Sequence, residues 1–327
     1  MRVVVTGGAG FIGQKLARAL IEQGELVDQA GQTRRIEELV LFDQAAAPPT
    51  LKDERIEVVT GDLTDRPTLL RALGAADSVF HLAGVVSGAA EADLQLGLNV
   101  NLDGTRLLLD LLAAGGRKPK VIFASSLAVY GGPEAKVVTD ATAPTPMSSY
   151  GVQKLCSEFL VGDYDRRGLI DGRALRFPTI AVRPGKANMA NSSFISAVIR
   201  EPVAGRDTIC PVPEDVPIAL MSPDRLIAAI LRVHDVPTQT FGWPRSMVLP
   251  AVKVTVREML DALEEIVGPE ARARVRFEPS ERIIPMVQSW PAEVTSQRAA
   301  ALGIETDSGA RTFVEQYVTE FPPLSAQ

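Results

Sequence analysis

The chain has 327 residues, of which 46% are hydrophobic and 23% are charged. These proportions are those of a globular protein and exclude disorder or a coiled coil for the chain as a whole. Its 34 basic and 40 acidic residues leave a formal net charge of −6, and without a dense basic patch we expect no nucleic-acid partner. Two cysteines and two histidines are too few for a disulfide framework or a histidine-rich centre, so we predict no bound metal.

The amino-terminal sequence MRVVVTGGAGFIG is broken by glycines and does not resemble a secretory signal. No stretch approaches the roughly 18 apolar residues of a membrane-spanning helix. We therefore expect a cytoplasmic protein without a membrane partner.

In the first half, short apolar runs alternate with amphipathic segments. Strands that are continuously apolar and separated by helices are typical of the α/β class, and they predict a Rossmann-type, doubly wound parallel sheet covered on both faces. In chain order the pattern predicts a strand at Val3–Val5, a helix at Phe11–Gln23, strands at Glu38–Phe42 and Ile56–Val59, a helix at Pro67–Leu73, a strand at Ser78–Leu82, a helix at Asn99–Ala114, a strand at Val121–Ala124, a helix at Ser149–Asp163 and a sixth strand from Arg173.

After about residue 185 the pattern is looser and is interrupted by prolines. We predict a cofactor-binding domain over residues 1–175, which includes the helix at Ser149–Asp163. Residues 176–327 are expected to form mainly a smaller, irregular substrate lobe, with some segments returning to the first domain. Helices are predicted in this half at Ser193–Ile199, Pro223–Val233, Val256–Val267 and Ala310–Thr319.

A glycine-rich turn, TGGAGFIG, joins the first strand to the first helix. It contains G-x-G-x-x-G ending at Gly13, a pattern that lets bare backbone approach a pyrophosphate. The free amides at the start of the helix then meet the phosphate charge. We predict a dinucleotide site here, with cofactor contacts at Gly7, Gly10, Phe11, Ile12 and Gly13.

Two carboxylates follow the next two strands. Asp43 ends the second strand, where it can accept both ribose hydroxyls and repel a 2′-phosphate, so NAD is favoured over NADP. The spacing from Gly13 exceeds the usual interval of about 20 residues, because residues 25–35 lengthen the connection. The alternative is a turn-capping aspartate. Asp62 and Leu63 are placed near the adenine, and the alternative for Asp62 is a helix N-cap before Leu63.

The pattern Y-x-x-x-K at Tyr150 and Lys154 places a phenol and an ammonium on one helix face. A nearby ammonium favours the phenolate, which can take a proton from a substrate hydroxyl. Alone, the pattern is common on solvated helices. Ser126, at the carboxyl end of the fifth strand, lies where doubly wound folds bind ligands, and its hydroxyl can hold the reacting oxygen.

Taken together, TGGAGFIG, HLAG, N-x-x-G-T, SSLAVYG and YGVQK resemble, in order, the motifs of the extended short-chain dehydrogenases/reductases, the NAD-dependent epimerase/dehydratase family. The resemblance covers about residues 1–185. It implies that Tyr150 is the proton acceptor, that Lys154 binds the nicotinamide ribose and that Ser126 is the catalytic serine. It also implies cofactor contacts at Leu82, Ala83, Gly84, Asn101, Ser125, Pro178 and Ile180. For Asn101 the alternative is an exposed polar residue on a helix.

The second half indicates the substrate. Thr179 replaces the asparagine that is usual in nucleotide-sugar members of the family. This difference weakens the interpretation of the chain as a nucleotide-sugar enzyme. The run ALRFPTIAVRPGKANMANSSFISAVIREP resembles the D-erythronate dehydrogenase group of the family. That resemblance implies oxidation of the C2 hydroxyl of a small sugar acid by NAD, with D-erythronate giving 2-oxo-D-erythronate. The alternatives are a nucleotide-sugar epimerase or reductase and, more remotely, a nonenzymatic NAD-binding regulator.

A carboxylate substrate needs a cationic partner, and the planar guanidinium of Arg183 suits one. The alternative for Arg183 is an ion pair that braces the lobe. Thr179, Asn188 and Ser192 are further substrate candidates, with loop-turn or N-cap roles as the alternative for the last two. His234 is expected to be a cation at a helix C-terminus.

We also expect a homodimer. The helix at Asn99–Ala114 and the helix that carries Tyr150 could form an intersubunit four-helix bundle. The alternative is that the leucines of the first of these helices pack onto the sheet.

Overall fold

The structure is a computed structural model that describes residues 1–45, 52–185 and 192–323. The chain forms two compact units, each made of several segments. Unit 1 comprises Met1–Val129, Ser148–Phe177 and Ile227–Met247, and unit 2 comprises Tyr130–Met147, Pro178–Leu226 and Val248–Gln327. Separate cofactor and substrate roles for domains divided at residue 175 stay a prediction.

The strands and helices follow one another along both units. The strands are β1 (Arg2–Thr6), β2 (Glu25–Val27), β3 (Thr33–Arg35), β4 (Glu38–Asp43), β5 (Ile56–Thr60), β6 (Ser78–His81), β7 (Lys120–Ser126), β8 (Val137–Val138), β9 (Asp171–Phe177), β10 (Thr179–Ile180), β11 (Thr208–Cys210), β12 (Pro217–Met221), β13 (Ser246–Val248), β14 (Val252–Thr255), β15 (Val275–Phe277) and β16 (Glu293–Val294). The helices are α1 (Phe11–Gln23), α2 (Arg66–Leu73), α3 (Ser87–Ala92), α4 (Leu94–Gly97), α5 (Thr105–Ala114), α6 (Ser149–Arg166), α7 (Ser193–Val203), α8 (Pro223–Asp235), α9 (Thr238–Phe241), α10 (Val256–Val267), α11 (Pro269–Ala273), α12 (Ile283–Gln288), α13 (Gln297–Ala301) and α14 (Ala310–Glu320).

A seven-stranded sheet with the order β13-β9-β7-β6-β1-β4-β5 forms the centre of unit 1. The six strands from β9 to β5 pair in parallel. The side chains of Val3, Val4 and Val5 are fully buried, as expected for a central strand covered on both faces. This order is that of a doubly wound nucleotide-binding sheet and confirms the predicted fold class. The carboxyl ends of β1, β4, β6 and β7 therefore share one edge.

Several segments of unit 1 differ from the sequence prediction, among them the unpredicted short helices α3, α4 and α9. Residues 25–35, expected only to lengthen a connection, form the antiparallel pair β2–β3. The helix predicted at Asn99–Ala114 begins as a π-helix over Leu98–Gly104 before α5 starts. There the carbonyl oxygen of Asn101 accepts hydrogen bonds from the hydroxyls of Thr105, at 2.8 Å, and Ser157, at 3.0 Å. The period of apolar residues does not distinguish a wider helical turn from an α-helical one.

Unit 2 has a three-stranded sheet, β10-β12-β14, and a helical core. Ile195 of α7, Leu260 of α10 and Phe313 of α14 are buried in one apolar cluster. Helix α10 covers the predicted residues, and a reciprocal capping box between Thr255 and Glu258 explains its start. The pairs β11–β15 and β8–β16 were not predicted, because strands of two or three residues carry no clear period.

The expectation that His234 is a cation is wrong. Its ring is fully buried, with Nε2 2.8 Å from the Ser78 hydroxyl and Nδ1 2.8 Å from Asp235. Burial lowers the pKa of His234, so the ring is neutral near pH 7. The buried guanidinium of Arg173 instead supplies positive charge at the end of α8, donating hydrogen bonds to the carbonyl oxygens of His234 and Val236.

Among the described residues, no helix has the length and apolar character needed to cross a membrane.

Candidate cofactor and catalytic site

The glycine-rich turn at the carboxyl end of β1 is closed tightly by its own backbone. The Gly10 amide donates to the Gly7 carbonyl oxygen at 3.1 Å, and α1 begins at the next residue. Gly7 has φ +73°, and a Cβ atom at Gly13 would lie 2.1 Å from the Gly7 oxygen. Neither position accepts a side chain. The turn therefore presents bare backbone and the free first amides of α1, which fits a pyrophosphate.

Asp43 lies directly against this turn. Its Oδ2 accepts a hydrogen bond from the Ala9 amide at 3.0 Å, and its Oδ1 accepts one from the Ala45 amide at 3.0 Å. The second contact is the turn-capping role of the alternative, and the first brings the carboxylate to the dinucleotide turn. A carboxylate next to the turn is where the adenosine ribose of NAD would be held, so the residues present fit this cofactor.

Asp62 forms a local turn at the carboxyl end of β5. Its Oδ1 accepts hydrogen bonds from the Thr64 amide and hydroxyl, and its Oδ2 accepts one from the side chain of Gln44. The amide of Thr64 is the main cause that lowers the pKa of Asp62. The N-cap alternative is wrong, because α2 begins at Arg66. Leu63 packs its side chain into the core of unit 1, and cofactor contacts at Asp62 and Leu63 stay a prediction.

The segment after β6 lies close to both the glycine turn and α6. A Cβ atom at Gly7 would lie 2.8 Å from the Ala83 amide nitrogen and 2.9 Å from the carbonyl carbon of Leu82. A Cβ atom at Gly84 would lie 3.4 Å from Nζ of Lys154. The backbone at Leu82, Ala83 and Gly84 is therefore close to the glycine turn at one end and to Lys154 at the other.

Tyr150 and Lys154 lie in the first turns of α6. The Ser148 hydroxyl caps this helix by accepting a hydrogen bond from the Gly151 amide at 3.1 Å. Lys154 is only 3% exposed, and its Nζ lies 4.8 Å from the centre of the Phe123 ring and 5.7 Å from that of Tyr150. Burial lowers the pKa of the Lys154 ammonium to about 8.

The Lys154 ammonium has no hydrogen bond or ion pair with another described residue. A buried ammonium retains three donors, and leaving them all without acceptors is costly. The hydroxyls of a bound ribose would satisfy them. This buried, unpaired donor is the second observation that fits the predicted nicotinamide nucleotide.

Ser126 ends β7, against which α6 packs. It is half-buried, and its Oγ accepts a hydrogen bond from the Ala128 amide at 3.1 Å. Because that contact uses a lone pair, the hydroxyl proton of Ser126 is available to a substrate oxygen. Ser126, Tyr150 and Lys154 thus all belong to unit 1, on β7 and the helix packed against it.

Ser125 is turned the other way. It is 2% exposed, and its Oγ donates to Oε1 of Glu158 at 2.5 Å. Arg176 of β9 donates to both oxygens of the same carboxylate at 2.6–3.1 Å. Sequence reasoning missed Glu158 and Arg176. The spacing of Glu158 four residues after Lys154 was the available signal, and the cofactor contact of Ser125 stays a prediction.

Asn101 is almost fully buried, so the alternative of an exposed helical residue is wrong. Its side chain accepts a hydrogen bond from the Val85 amide at 2.8 Å and donates to the Val85 carbonyl and to Oε1 of Gln153. It therefore holds the segment after Gly84 against α6. A direct cofactor contact by Asn101 stays a prediction.

His81 connects two hydroxyls beneath this edge. Its Nδ1 lies 2.7 Å from Thr6 Oγ1 and its Nε2 lies 3.0 Å from Thr105 Oγ1. Burial is the main cause that lowers the pKa of His81 to about 3, with the charge of Lys154 adding to it. The ring is neutral near pH 7, which suits a structural role rather than that of a base.

The remaining candidates lie in unit 2. Pro178 precedes β10, which carries Thr179 and Ile180. The Arg183 guanidinium donates to the Ser192 hydroxyl at 3.2 Å, so the structure brings these two candidates together. Asn188 lies outside the described residues.

Arg183 is also anchored through its backbone. Its amide donates to the Ser196 hydroxyl at 3.0 Å, and its carbonyl accepts from the buried Arg200 at 3.0 Å. These contacts fix the segment that carries the Arg183 side chain. The substrate role of that side chain stays a prediction.

The sequence matches the model described as the NAD dependent epimerase/dehydratase family over residues 3–219. It is 46% identical over 321 residues to a D-erythronate dehydrogenase of Cupriavidus necator, covering 98% of each chain. It is 38% identical over 320 residues to a D-erythronate dehydrogenase of Haemophilus influenzae, covering 97% of this chain and 99% of that protein. A crystal structure described as a nucleoside-diphosphate-sugar epimerase from Agrobacterium tumefaciens is 34% identical and superposes with a TM-score of 0.90 over 98% of this chain and 94% of that one.

The position of Asp43 predicts how the chain selects its cofactor. Asp43→Ala removes the carboxylate that would bind the ribose hydroxyls and repel a 2′-phosphate. Because hydrogen bonds to charged groups contribute about 1.5–3 kcal/mol, we expect NADH affinity to fall by roughly tenfold to a hundredfold. The preference for NADH over NADPH should fall by a similar factor, as measured by fluorescence titration. Asp103→Asn, at an exposed helix position, is the control. An unchanged preference in Asp43→Ala would place the ribose elsewhere.

Proposed function

We propose, since the chain belongs to the NAD dependent epimerase/dehydratase family, that it is an NAD-dependent dehydrogenase that oxidises D-erythronate at C2 to 2-oxo-D-erythronate. The observation that carries this proposal is the near full-length similarity to two D-erythronate dehydrogenases. Family membership confirms the resemblance predicted from the motifs and the predicted cofactor, NAD.

The chemistry requires that C2 lose a hydride and that its hydroxyl lose a proton. Bound NAD supplies the hydride acceptor. Ser126 holds the hydroxyl oxygen through its free hydroxyl proton. Tyr150, as the phenolate, takes the hydroxyl proton while the C2 hydrogen leaves, so that a C=O bond forms at C2. Lys154 stabilises the phenolate by its charge and remains protonated throughout.

The cofactor would be held along the carboxyl edge of the sheet. We assign its pyrophosphate to the backbone at Gly7, Gly10, Phe11, Ile12 and Gly13. The remaining contacts fall on the adenosine side at Asp43, Asp62 and Leu63, and on the nicotinamide side at Leu82, Ala83, Gly84, Asn101, Ser125, Tyr150, Lys154, Pro178 and Ile180. The donors of this set are backbone amides and the Lys154 ammonium, which suit an anionic ligand.

The substrate carboxylate needs a cation that the catalytic residues do not provide. We assign it to Arg183, whose fork can donate two parallel hydrogen bonds. Ser192, which already accepts from Arg183 at 3.2 Å, and Thr179 and Asn188 are assigned to the sugar hydroxyls. Division of the chain into a cofactor domain and a substrate lobe is part of the same proposal.

A nucleotide-sugar epimerase or reductase is the second candidate. The structure described as a nucleoside-diphosphate-sugar epimerase supports it, with 34% identity and a TM-score of 0.90. Thr179 disfavours this second candidate, because nucleotide-sugar members have asparagine at that position. A nonenzymatic NAD-binding regulator needs the glycine turn but not Ser126, Tyr150 and Lys154, so their presence disfavours it.

A homodimer is proposed from the exposed face of α4 and α6. Leu94 and Leu96 of α4 are 56% and 42% exposed, and Val152 and Phe159 of α6 are 46% and 69% exposed. The leucines of α5 do not contribute to this face, because Leu108, Leu109, Leu111 and Leu112 are buried on the sheet. Sedimentation at micromolar concentration should give twice the 35.0 kDa chain mass. We further propose a cytoplasmic location.

Substrate oxidation can be measured directly. NADH formation, followed by absorbance over a panel of four- and five-carbon sugar acids, should be fastest with D-erythronate. UDP-sugars should give neither NADH nor an epimer and should not raise the unfolding temperature, whereas D-erythronate with NAD should raise it. Turnover of UDP-sugars without any oxidation of sugar acids would replace this proposal by the second candidate.

The role of Arg183 separates carboxylate binding from bracing. If it binds the carboxylate, Arg183→Ala loses a charged hydrogen-bonding pair of about 1.5–3 kcal/mol, which raises KM for D-erythronate by roughly tenfold to a hundredfold. NADH affinity and the unfolding temperature should stay near those of the wild type. Arg206→Ala, which removes an exposed arginine of the same unit, is the matched control. An unchanged KM with a lowered unfolding temperature would assign Arg183 to bracing.

A further inference from the structure

At the catalytic edge, which is formed by the carboxyl ends of β7 and β9 beside Ser126, four hydrogen bonds from one hydroxyl and one guanidinium converge on a residue that the mechanism above does not use. Glu158 follows Lys154 by four residues on α6, so Tyr150, Lys154 and Glu158 lie along one helix face. Its side chain is 2% exposed. A buried carboxylate is retained only where it is paired, so its partners define what it does.

The partners of Glu158 come from two neighbouring strands. The Ser125 hydroxyl donates to Oε1 at 2.5 Å, and Arg176 donates through Nε to Oε1 at 2.9 Å and through Nη2 to Oε2 at 2.6 Å. Ser125 of β7 and Arg176 of β9 are direct register partners, as are the next residues, Ser126 and Phe177. Glu158 therefore ties α6 to the strand ends one residue before the catalytic serine.

The same carboxylate also acts on the charge of Lys154. Glu158 raises the pKa of Lys154 against the larger, opposing effect of burial. Of the other elements packed around Lys154, β6 offers His81, which is neutral, and β7 offers the Phe123 ring and Ser125. Strand β9 carries Arg176, whose positive charge forms an ion pair with Glu158. Without Glu158 the edge would hold two cations, Lys154 and Arg176, without a carboxylate, and the Tyr150 phenol would be the other titratable group beside Lys154.

We propose that Glu158 is a positioning residue for the reaction, and that its network with Arg176 and Ser125 fixes both the charge of Lys154 and the place of the strand end that carries Ser126. This inference rests on the proposed function, because it concerns the residues assigned to proton transfer. Glu158 touches neither substrate nor cofactor in this account and acts only through Lys154 and Ser125.

The charges predict the direction in which each substitution shifts the pH dependence of NADH affinity. Lys154 binds the ribose as an ammonium, so NADH affinity is full below its pKa and falls as the pH rises through it. This fall is the alkaline limb of the plot of NADH affinity against pH. Glu158→Gln removes the anion and leaves Arg176, so the alkaline limb moves to lower pH by about one unit. Arg176→Gln removes the cation and leaves Glu158 to Lys154, so the limb moves to higher pH. The double variant, which has neither charge, returns towards the wild type.

The test is fluorescence titration of NADH from pH 6 to 10 for the three variants, repeated for kcat/KM with D-erythronate. Asp163→Asn, which removes an exposed, arginine-paired carboxylate from the same helix, is the control and should leave the limb in place. Opposite shifts for Glu158→Gln and Arg176→Gln support the proposal. Equal shifts, or loss of stability with an unmoved limb, would show a merely structural ion pair and overturn it.

Two further results distinguish the proposal from a folding defect and from failure of the proposed function. If Glu158→Gln does not fold, Arg176→Gln alone must raise the limb, and a limb that stays or falls contradicts the proposal. The proposed function is tested separately by wild-type NADH formation from D-erythronate, since NADH binding requires no turnover. Absence of that turnover with opposite binding shifts would refute the substrate and leave the network standing.

Discussion

A buried ammonium group is the constraint on which the catalytic edge depends. In the proposed mechanism Lys154 must stay charged to favour the phenolate of Tyr150, yet it is almost fully withdrawn from water. Desolvation alone disfavours a buried cation by several pKa units in extreme cases. Three neighbours of Lys154 reduce the cost of burying its charge. An aromatic ring faces the ammonium at 4.8 Å, the carboxylate of Glu158 lies one helical turn away, and the neighbouring His81 carries no charge.

The overall charge gives this local arrangement its importance. A chain of net charge −6 that binds an anionic dinucleotide and an anionic sugar acid has to gather positive potential at particular points. The free amides of the glycine turn and the Lys154 ammonium are assigned to provide it within unit 1, and Arg183 is assigned to provide it for the carboxylate. Asp43, which touches the same turn, is assigned to select NAD by repelling a 2′-phosphate.

The parts that could be predicted from sequence are those whose physics is local. The glycine turn needs φ values and close approaches that only glycine permits, and a tyrosine and lysine four apart share a helix face whatever surrounds them. The order of buried strands and amphipathic helices was enough for the doubly wound sheet. Contacts between distant elements could not be predicted in this way. The partners of Glu158 come from β7 and β9, and the burial that keeps His234 neutral results from tertiary packing. Short strands such as β2 and β3, and the π-helix at Asn101, have no period of their own.

The central claim is that the phenol of Tyr150 accepts the substrate proton, and Tyr150→Phe tests it most directly because the ring and its packing remain. Loss of positioned acid–base catalysis costs about a hundredfold to ten-thousandfold in rate. The account predicts that NADH formation from D-erythronate falls by that factor while NADH still binds. A rate within a few-fold of the wild type would contradict it.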